Sequence, residues 1–463
     1  MTPAEQHRDP HIPGSSLMRT GTIARATALS GAALLALTAC GGSDDSGDSG
    51  GSASSGSSSE KQVNVYGTDG NMGNALGEDF TETGALAGMK GTLPLTELSG
   101  DFKDRLLQLN PQLVDYNYSA ESYDATMLIA MAAQSAGNTQ ATAFGPYVNA
   151  LTVTGEKCSD FTACLAIIKA GGDVDYDGFS GPLSFTDAGE PAQASFGLQQ
   201  FGTDNKIDDS KTQFVIAGDE ANATKNAGPA PVANPPASAA PLTIGTLLPE
   251  TGNLAFLGPP EVAGVQLAIN DINAAGGVLG QPITLVTGDS GDASTDTATQ
   301  TVDRLLQSGV NAIIGAASSG VSLTVIDTIT QAGVMQISPA NTSDQFTTYN
   351  DQNLYFRTAP PDLLQARALA DLIEQDGNNT VGILATNDPY GTGLAENTKN
   401  NLVSDGLPED SIQSVIYDPQ AANYDAEVQQ MTEFSPDAVV VIGFEESSRI
   451  IQGLNTNGVG PQR

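Results

Sequence analysis

Two apolar runs in the sequence end on hydroxyl residues. VNAIIGA at 310–316 leads to Ser318-Ser319-Gly320, which open an amphipathic segment, and VMQISPA at 334–340 leads to Asn341-Thr342-Ser343. At the carboxyl end of a strand, such hydroxyls and the unpaired N–H groups of a starting helix can seat an anion, an α-carboxylate for example. The same residues also serve as plain helix caps. Asp69 closes another run, VNVYGTD at 63–69, where an acid suits an α-ammonium group, although aspartate after a strand is also a common turn residue. Phe444 and Glu445 end a further run, DAVVVIGF, and qualify by position alone. Cys158 and Cys164 sit close together on a loop entering a helical pattern. In an oxidising compartment they form a disulfide; without C-x-x-C spacing or a histidine partner they make a poor redox or metal site.

The counts exclude several chemistries. Only His7 and His11 are present, both at the extreme N-terminus, so a chain that loses that stretch has no imidazole for Ser-His-Asp or Cys-His catalysis or for a His-ligated zinc. GAASSGV lacks the G-x-S-x-G spacing of a nucleophile elbow. Eighteen Lys and Arg against 54 Asp and Glu give a net charge of −36, which repels phosphate backbones and argues against nucleic acid. A binding protein is expected, not an enzyme, with no cofactor and no metal.

The N-terminus reads as an export address. Arg19 and Arg25 precede a short apolar run through Leu34, Leu35 and Leu37, too short to span a bilayer. Leu37-Thr38-Ala39-Cys40 looks like a bacterial lipobox, which would make Cys40 the lipidated first mature residue and Met18 the start; an ordinary signal peptide is the alternative. The Gly/Ser tract at 41–62 reads as a tether.

The elements that must position the candidate residues follow an alternating pattern. From Leu242, strand-like runs at 242–249, 283–289, 310–316 and 334–340 alternate with helix-like stretches, one of which puts Val262, Val265, Ile269 and Ile272 on one face. The rhythm resumes at 380–388, 412–418 and 437–444. Two groups of βα units predict an α/β fold of two doubly wound parallel-sheet lobes joined by a hinge. The pattern then ends one helix after DAVVVIGF, short of a strand, while VNVYGTDG at 63–70 is a strand without a preceding helix. Joining the two restores the alternation and predicts a circularly permuted order. The expected division is a signal segment at 1–40, the tether, a block at 63–208 contributing to both lobes, a Pro/Ala-rich linker at 209–241, a first lobe at 242–360, and a second lobe at 361–463 completed by 63–97. A single-chain permutant, exchange between chains and a gene-model error remain open.

These segments resemble the leucine/isoleucine/valine-binding proteins of ABC transporters, which have the type I periplasmic binding fold. Pro249-Glu250-Thr251-Gly252, DINAAGGVLGQPI at 271–283, IIGAASSG at 313–320, ISPANTS at 337–343 and DPYGTG at 388–393 carry the likeness in one block. VYGTDGNMGN at 65–74, SYDATMLIAMAAQSAG at 122–137 and GFSGPLSFTDAGEPAQASFGLQQF at 178–201 carry it in the other, with the two blocks in swapped order. The resemblance implies a carboxylate-binding serine at Ser319, flanked by Ser318, a second binding segment at Ala340 and Thr342, an acidic ligand at Asp69 and a closing tyrosine at Tyr390. Family members often carry glutamate where Asp69 stands, one methylene longer. Where some members place an aromatic over the ligand side chain, this chain has Phe256-Leu257. The implied function is that of a monomeric, lipid-anchored extracytoplasmic receptor that binds an amino acid of the branched-chain type or similar and delivers it to an ABC permease. A sensor of the same fold for an amino acid, amide or urea is the alternative.

Overall fold

The computed structural model describes residues 62–238 and 240–461. The expected signal segment with Met18, both histidines and Cys40, and the tether up to residue 61, lie outside these residues.

In chain order the strands are β1 (Asn64–Gly67), β2 (Lys90–Pro94), β3 (Glu156–Cys158), β4 (Val174–Gly178), β5 (Gly181–Pro182), β6 (Gln193–Gln200), β7 (Gln213–Gly218), β8 (Thr243–Leu247), β9 (Thr284–Val286), β10 (Ala312–Gly315), β11 (Met335–Ser338), β12 (Tyr355–Arg357), β13 (Val381–Thr386), β14 (Ile412–Tyr417) and β15 (Ala438–Ile442). AIIG, VGILAT and AVVVI are buried at every position, as expected of central parallel strands covered on both faces.

The first lobe holds a parallel sheet in the order β9-β8-β10-β11-β12, together with the small β3-β4-β5 sheet. Numbered from β8, its order is the doubly wound 2-1-3-4-5, with the switch point between β8 and β10. The second lobe holds a sheet in the order β14-β13-β15-β1-β2-β6-β7. Counted from β13 it begins with the same 2-1-3-4-5 order, provided β1 takes the fourth place after β15. The register there is parallel, with Asn64 beside Ala438 and Tyr66 beside Val440. A strand early in the chain therefore sits in the middle of a sheet whose first three members come from its end.

Both cores mix the two halves of the sequence. Helix Ser119–Ala136 is buried on nearly all sides and packs on helix Gly258–Ala274, so Phe102, Tyr123 and Met127 share a core with Ile269, Ile314 and Ile337. Gly264 permits this approach: a Cβ there would lie 2.2 Å from the carbonyl oxygen of Ser119. In the second lobe Val65, Met72 and Leu93 pack with Val439, Val441 and Ile450. Cys158 ends β3 and is disulfide-bonded to Cys164 of helix Phe161–Lys169, with Cα atoms 5.4 Å apart.

The structure corrects the expected linker. Residues 213–218, within the stretch assigned to it, form edge strand β7, antiparallel to β6. The composition of Pro229–Pro241 had coloured the whole interval, but QFVIAG packs Val215 and Ala217 against Ala368 and Leu364. The second lobe is thus completed by 193–218 as well as by β1 and β2. Residues 219–242 return to the first lobe, with Val232 N–H bonded to the Ser135 carbonyl and Asn234 N–H to that of Lys169.

Because each core is shared, a fragment comprising only 241–463 is expected to show no cooperative thermal transition by circular dichroism. Co-expression with 62–230 is expected to restore one. A sharp transition for the fragment alone would contradict the shared cores.

Candidate functional site

The strands of both lobes point their carboxyl ends toward one another, and the loops after the switch points meet there. Ser318 follows β10 and caps helix Ser319–Gln331, its hydroxyl accepting the Val321 N–H at 3.3 Å. The first N–H groups of that helix have no intrahelical acceptor. Ser319 Oγ accepts the Ser343 N–H at 3.3 Å, which leaves its own proton available to donate. After β11, Ser338 Oγ accepts the N–H groups of Ala340 (3.2 Å) and Asn341 (2.9 Å), and this shapes the turn that presents Ala340 and Thr342.

On the opposite side, Asp69 follows β1 and is 5 % exposed. Its Oδ2 accepts the Tyr118 hydroxyl at 2.7 Å, and its Oδ1 accepts the Tyr390 hydroxyl at 2.8 Å and Gln365 Nε2 at 2.9 Å. Burial raises the Asp69 pKa, and these hydrogen bonds pull it back in part. With the Tyr390 proton committed to Asp69, Thr68 Oγ1 donates to the Tyr390 oxygen at 2.6 Å. Tyr390 lies in the first turn of helix Pro389–Ser404, which Asp388 caps by accepting the Gly391 N–H at 2.7 Å. Its ring stacks on Phe444, with centroids 5.4 Å apart and planes at 22°. Gly70 lets the loops after β1 and β15 touch: a Cβ there would fall 2.5 Å from the Gly443 carbonyl oxygen.

A narrow cavity of about 20 Å³ lies between these groups. Its wall brings together Ser318, Ser319, Ala340, Thr342, Asp69 and Tyr390, and Leu257 closes it from the loop after β8. Phe444 lines it too, but Glu445 and Phe256 do not; they belong to an adjoining chamber of about 220 Å³ that shares Gly70 and Phe444 with the inner cavity. No lysine or arginine lines the inner cavity.

Sequence reasoning missed Tyr118, Leu254 and Gln365. Tyr118 precedes helix Ser119–Ala136 in a left-handed conformation, φ 59° and ψ 7°, a cost of roughly 1–3 kcal/mol for a non-glycine residue. That conformation is invisible in DYNYSAES. Asp362, one turn before Gln365 on helix Asp362–Gln375, is fully buried; burial and then the Asp69 charge push its pKa well above the carboxylate range. Among the described residues, no group of three or more His, Cys, Asp or Glu side chains is placed to hold a metal ion, and no helix is long and apolar enough to cross a membrane.

A sequence model of the periplasmic binding protein family matches residues 241–463. Among similar proteins, the Leu/Ile/Val-binding protein homolog 2 of Brucella abortus is 35 % identical over 176 residues, covering 37 % of this chain and 46 % of that protein. The Leu/Ile/Val-binding protein homolog 3 of Brucella melitensis is 26 % identical over 217 residues, covering 46 % and 58 %. The chain thus spans about half the length of the curated relatives it matches. A similar solved structure is the branched-chain amino acid transporter substrate binding protein LivJ of Streptococcus pneumoniae in complex with isoleucine, 27 % identical, with a TM-score of 0.42 over 48 % of this chain and 63 % of that one.

Buried acids around the cleft give a pH test. Burial pushes Asp388 up to about 6 and Glu121, three residues beyond Tyr118, up to about 8. Their folded-state pKa values exceed the ordinary ones of 3.8 and 4.5, so the folded protein holds protons that unfolding releases. Stability is therefore expected to fall as pH rises from about 4.5 toward 8, then to level off. Urea midpoints at pH 5, 6.5 and 8 should decline in that order, and Glu121→Gln should flatten the step between 6.5 and 8. An unchanged step in that variant would show that Glu121 does not titrate there.

Proposed function

We propose, from the match of residues 241–463 to the periplasmic binding protein family, that the chain is an extracytoplasmic receptor whose two lobes close on an amino acid and deliver it to an ABC permease. The observation that carries this reading is the polarity of the inner cavity. One wall offers hydroxyls and helix-start N–H groups from the first lobe; the other offers the carboxylate of Asp69 from the second, with no lysine or arginine between them. A zwitterion matches both: its carboxylate takes the donors of Ser319 and Thr342, and its ammonium supplies the charge that Asp69 lacks. Leu254, Leu257 and Phe444 give the cavity an apolar lining, which suits a side chain of the branched-chain type. Binding needs no bond to be made or broken. Anchoring through a lipid on Cys40, outside the described residues, belongs to the same proposal.

The chain order is read as a circular permutation. In support, the family match begins at residue 241, where the first lobe's sheet starts, while β1 and β2 complete the 2-1-3-4-5 order of the second lobe behind β15. The segment from 219 to 242 then joins what would otherwise be the two ends.

Isothermal titration calorimetry of the mature chain against amino acids, amides and urea tests the function. At least one amino acid is expected to bind. Asp69→Asn, which leaves a bound ammonium without its counter-charge, is expected to cost about 2 kcal/mol or more, roughly 30-fold in Kd. Ser319→Ala should weaken the same ligand. If no member of the panel binds and neither variant changes thermal stability in its presence, the amino-acid reading is wrong.

A further inference from the structure

Three of the passages between the lobes lie side by side and are hydrogen-bonded to one another. Asp219 N–H donates to the Ala192 carbonyl at 3.1 Å and Thr224 N–H to that of Phe185 at 2.8 Å, so the segment after β7 runs along the 185–192 passage. Arg357 N–H donates to the Gly189 carbonyl at 3.0 Å, which adds the third passage, where β12 leads out of the first lobe. The segment that reconnects the reordered chain is thereby part of the hinge.

At the centre of this belt stands Arg357, only 1 % exposed. All five N–H groups of its guanidinium have acceptors. Nε donates to Glu190 Oε2 at 3.0 Å, and Nη2 donates to the same oxygen and to Thr347 Oγ1 at 3.2 Å. Nη1 donates to the Ser343 carbonyl at 2.8 Å and to the Asn341 carbonyl at 3.3 Å. Those two carbonyls flank Thr342, which lines the cavity, and the Ser343 N–H is the donor that orients Ser319 Oγ. Glu190 comes from the N-terminal block and Arg357 from the C-terminal one, so the turn that offers donors to a ligand anion is held from behind by a contact between blocks.

We propose that Arg357 is a positioning residue for ligand binding: braced by Glu190 within the hinge belt, it fixes the 341–343 turn and through it the donors of Thr342 and Ser319. The proposal rests on the reading of the cavity as an amino-acid site. A buried ion pair by itself says little about stability, and its replacement by apolar residues is often neutral, so stability and positioning can be separated. A lysine cannot substitute, because one ammonium does not span the four acceptor atoms that the planar fork serves.

The test uses the full mature chain with L-isoleucine, L-valine and L-alanine as probes, measured by calorimetry beside thermal unfolding. The double variant Arg357→Met/Glu190→Leu leaves no unpaired charge but removes the donors to Asn341 and Ser343. It is expected to unfold within a few degrees of the parent while Kd rises at least tenfold. Arg357→Lys, which keeps a charge opposite Glu190, should also fold and lose at least fivefold. A folded double variant with Kd within twofold of the parent, alongside a Ser319→Ala variant that does lose affinity, overturns the positioning role and leaves the amino-acid site standing. Should the double variant not fold, a folded Arg357→Lys with parental Kd overturns it equally. If the parent binds none of the probes and Ser319→Ala and Asp69→Asn alter nothing, the site reading itself fails and this proposal falls with it.

Discussion

Asp69 is a carboxylate withdrawn from water without a cation beside it, and the arrangement of both lobes answers to that fact. An isolated buried charge is costly unless fixed dipoles replace its hydration. Here two phenol hydroxyls and an amide do so, and they arrive from three separate stretches of chain: Tyr118 from the first lobe, Gln365 and Tyr390 from the second. The Tyr118–Asp69 bond therefore runs from one lobe to the other. A second contact between the lobes has Ser343 Oγ donating to the Pro389 carbonyl at 3.1 Å, directly before Tyr390. The acid is thus tied to the position of both lobes.

The order in which the chain visits these places matters less than the order of strands in the sheets. A doubly wound sheet gathers its functional loops where strand order reverses. In the first lobe the reversal falls between β8 and β10, which deliver Leu257 and the Ser318–Ser319 pair. In the second it falls between β13 and β15, which deliver Tyr390 and Phe444. Beside β15, β1 supplies Asp69, and it does so through a parallel register although β1 precedes the rest of the sheet in the chain. Chain order fixes where connections must run, and the segment after β7 runs along the 185–192 passage before it reaches the first lobe.

Much of this was legible from runs of apolar residues and what terminates them. The parallel strands of both lobes were visible because each is a short, continuously apolar segment, and the missing strand after helix Ser447–Thr456 pointed to β1. The candidate cavity residues were visible because each follows such a run, or matched a family segment. Three kinds of feature stayed hidden. β7 lay inside a Pro- and Ala-rich interval whose composition outweighed a six-residue strand. Tyr118 owes its direction to a left-handed backbone that no local residue announces. Arg357 and Glu190 are 167 positions apart, and their pairing depends on how three hinge segments line up. Periodicity reports which face of an element is buried; it carries no information on which distant charge meets it there.

The electrostatics of the cleft bear on how a ligand could drive closure. A ligand shifts an equilibrium only through a difference in its affinity for the two states. In an open form, water can solvate Asp69, and an ammonium gains little from it across that high dielectric. In the closed form, Asp69 is surrounded by neutral donors and neighbours the buried Asp362, so a single positive charge there meets a carboxylate with no competing cation. The gain from ligand charge is therefore concentrated in the closed state. A neutral isostere of the ligand, lacking the ammonium, could fill the same space against Leu254, Leu257 and Phe444 yet would lack that difference. In the proposed receptor, this physical ground makes Asp69 the element through which closure depends on what occupies the cavity.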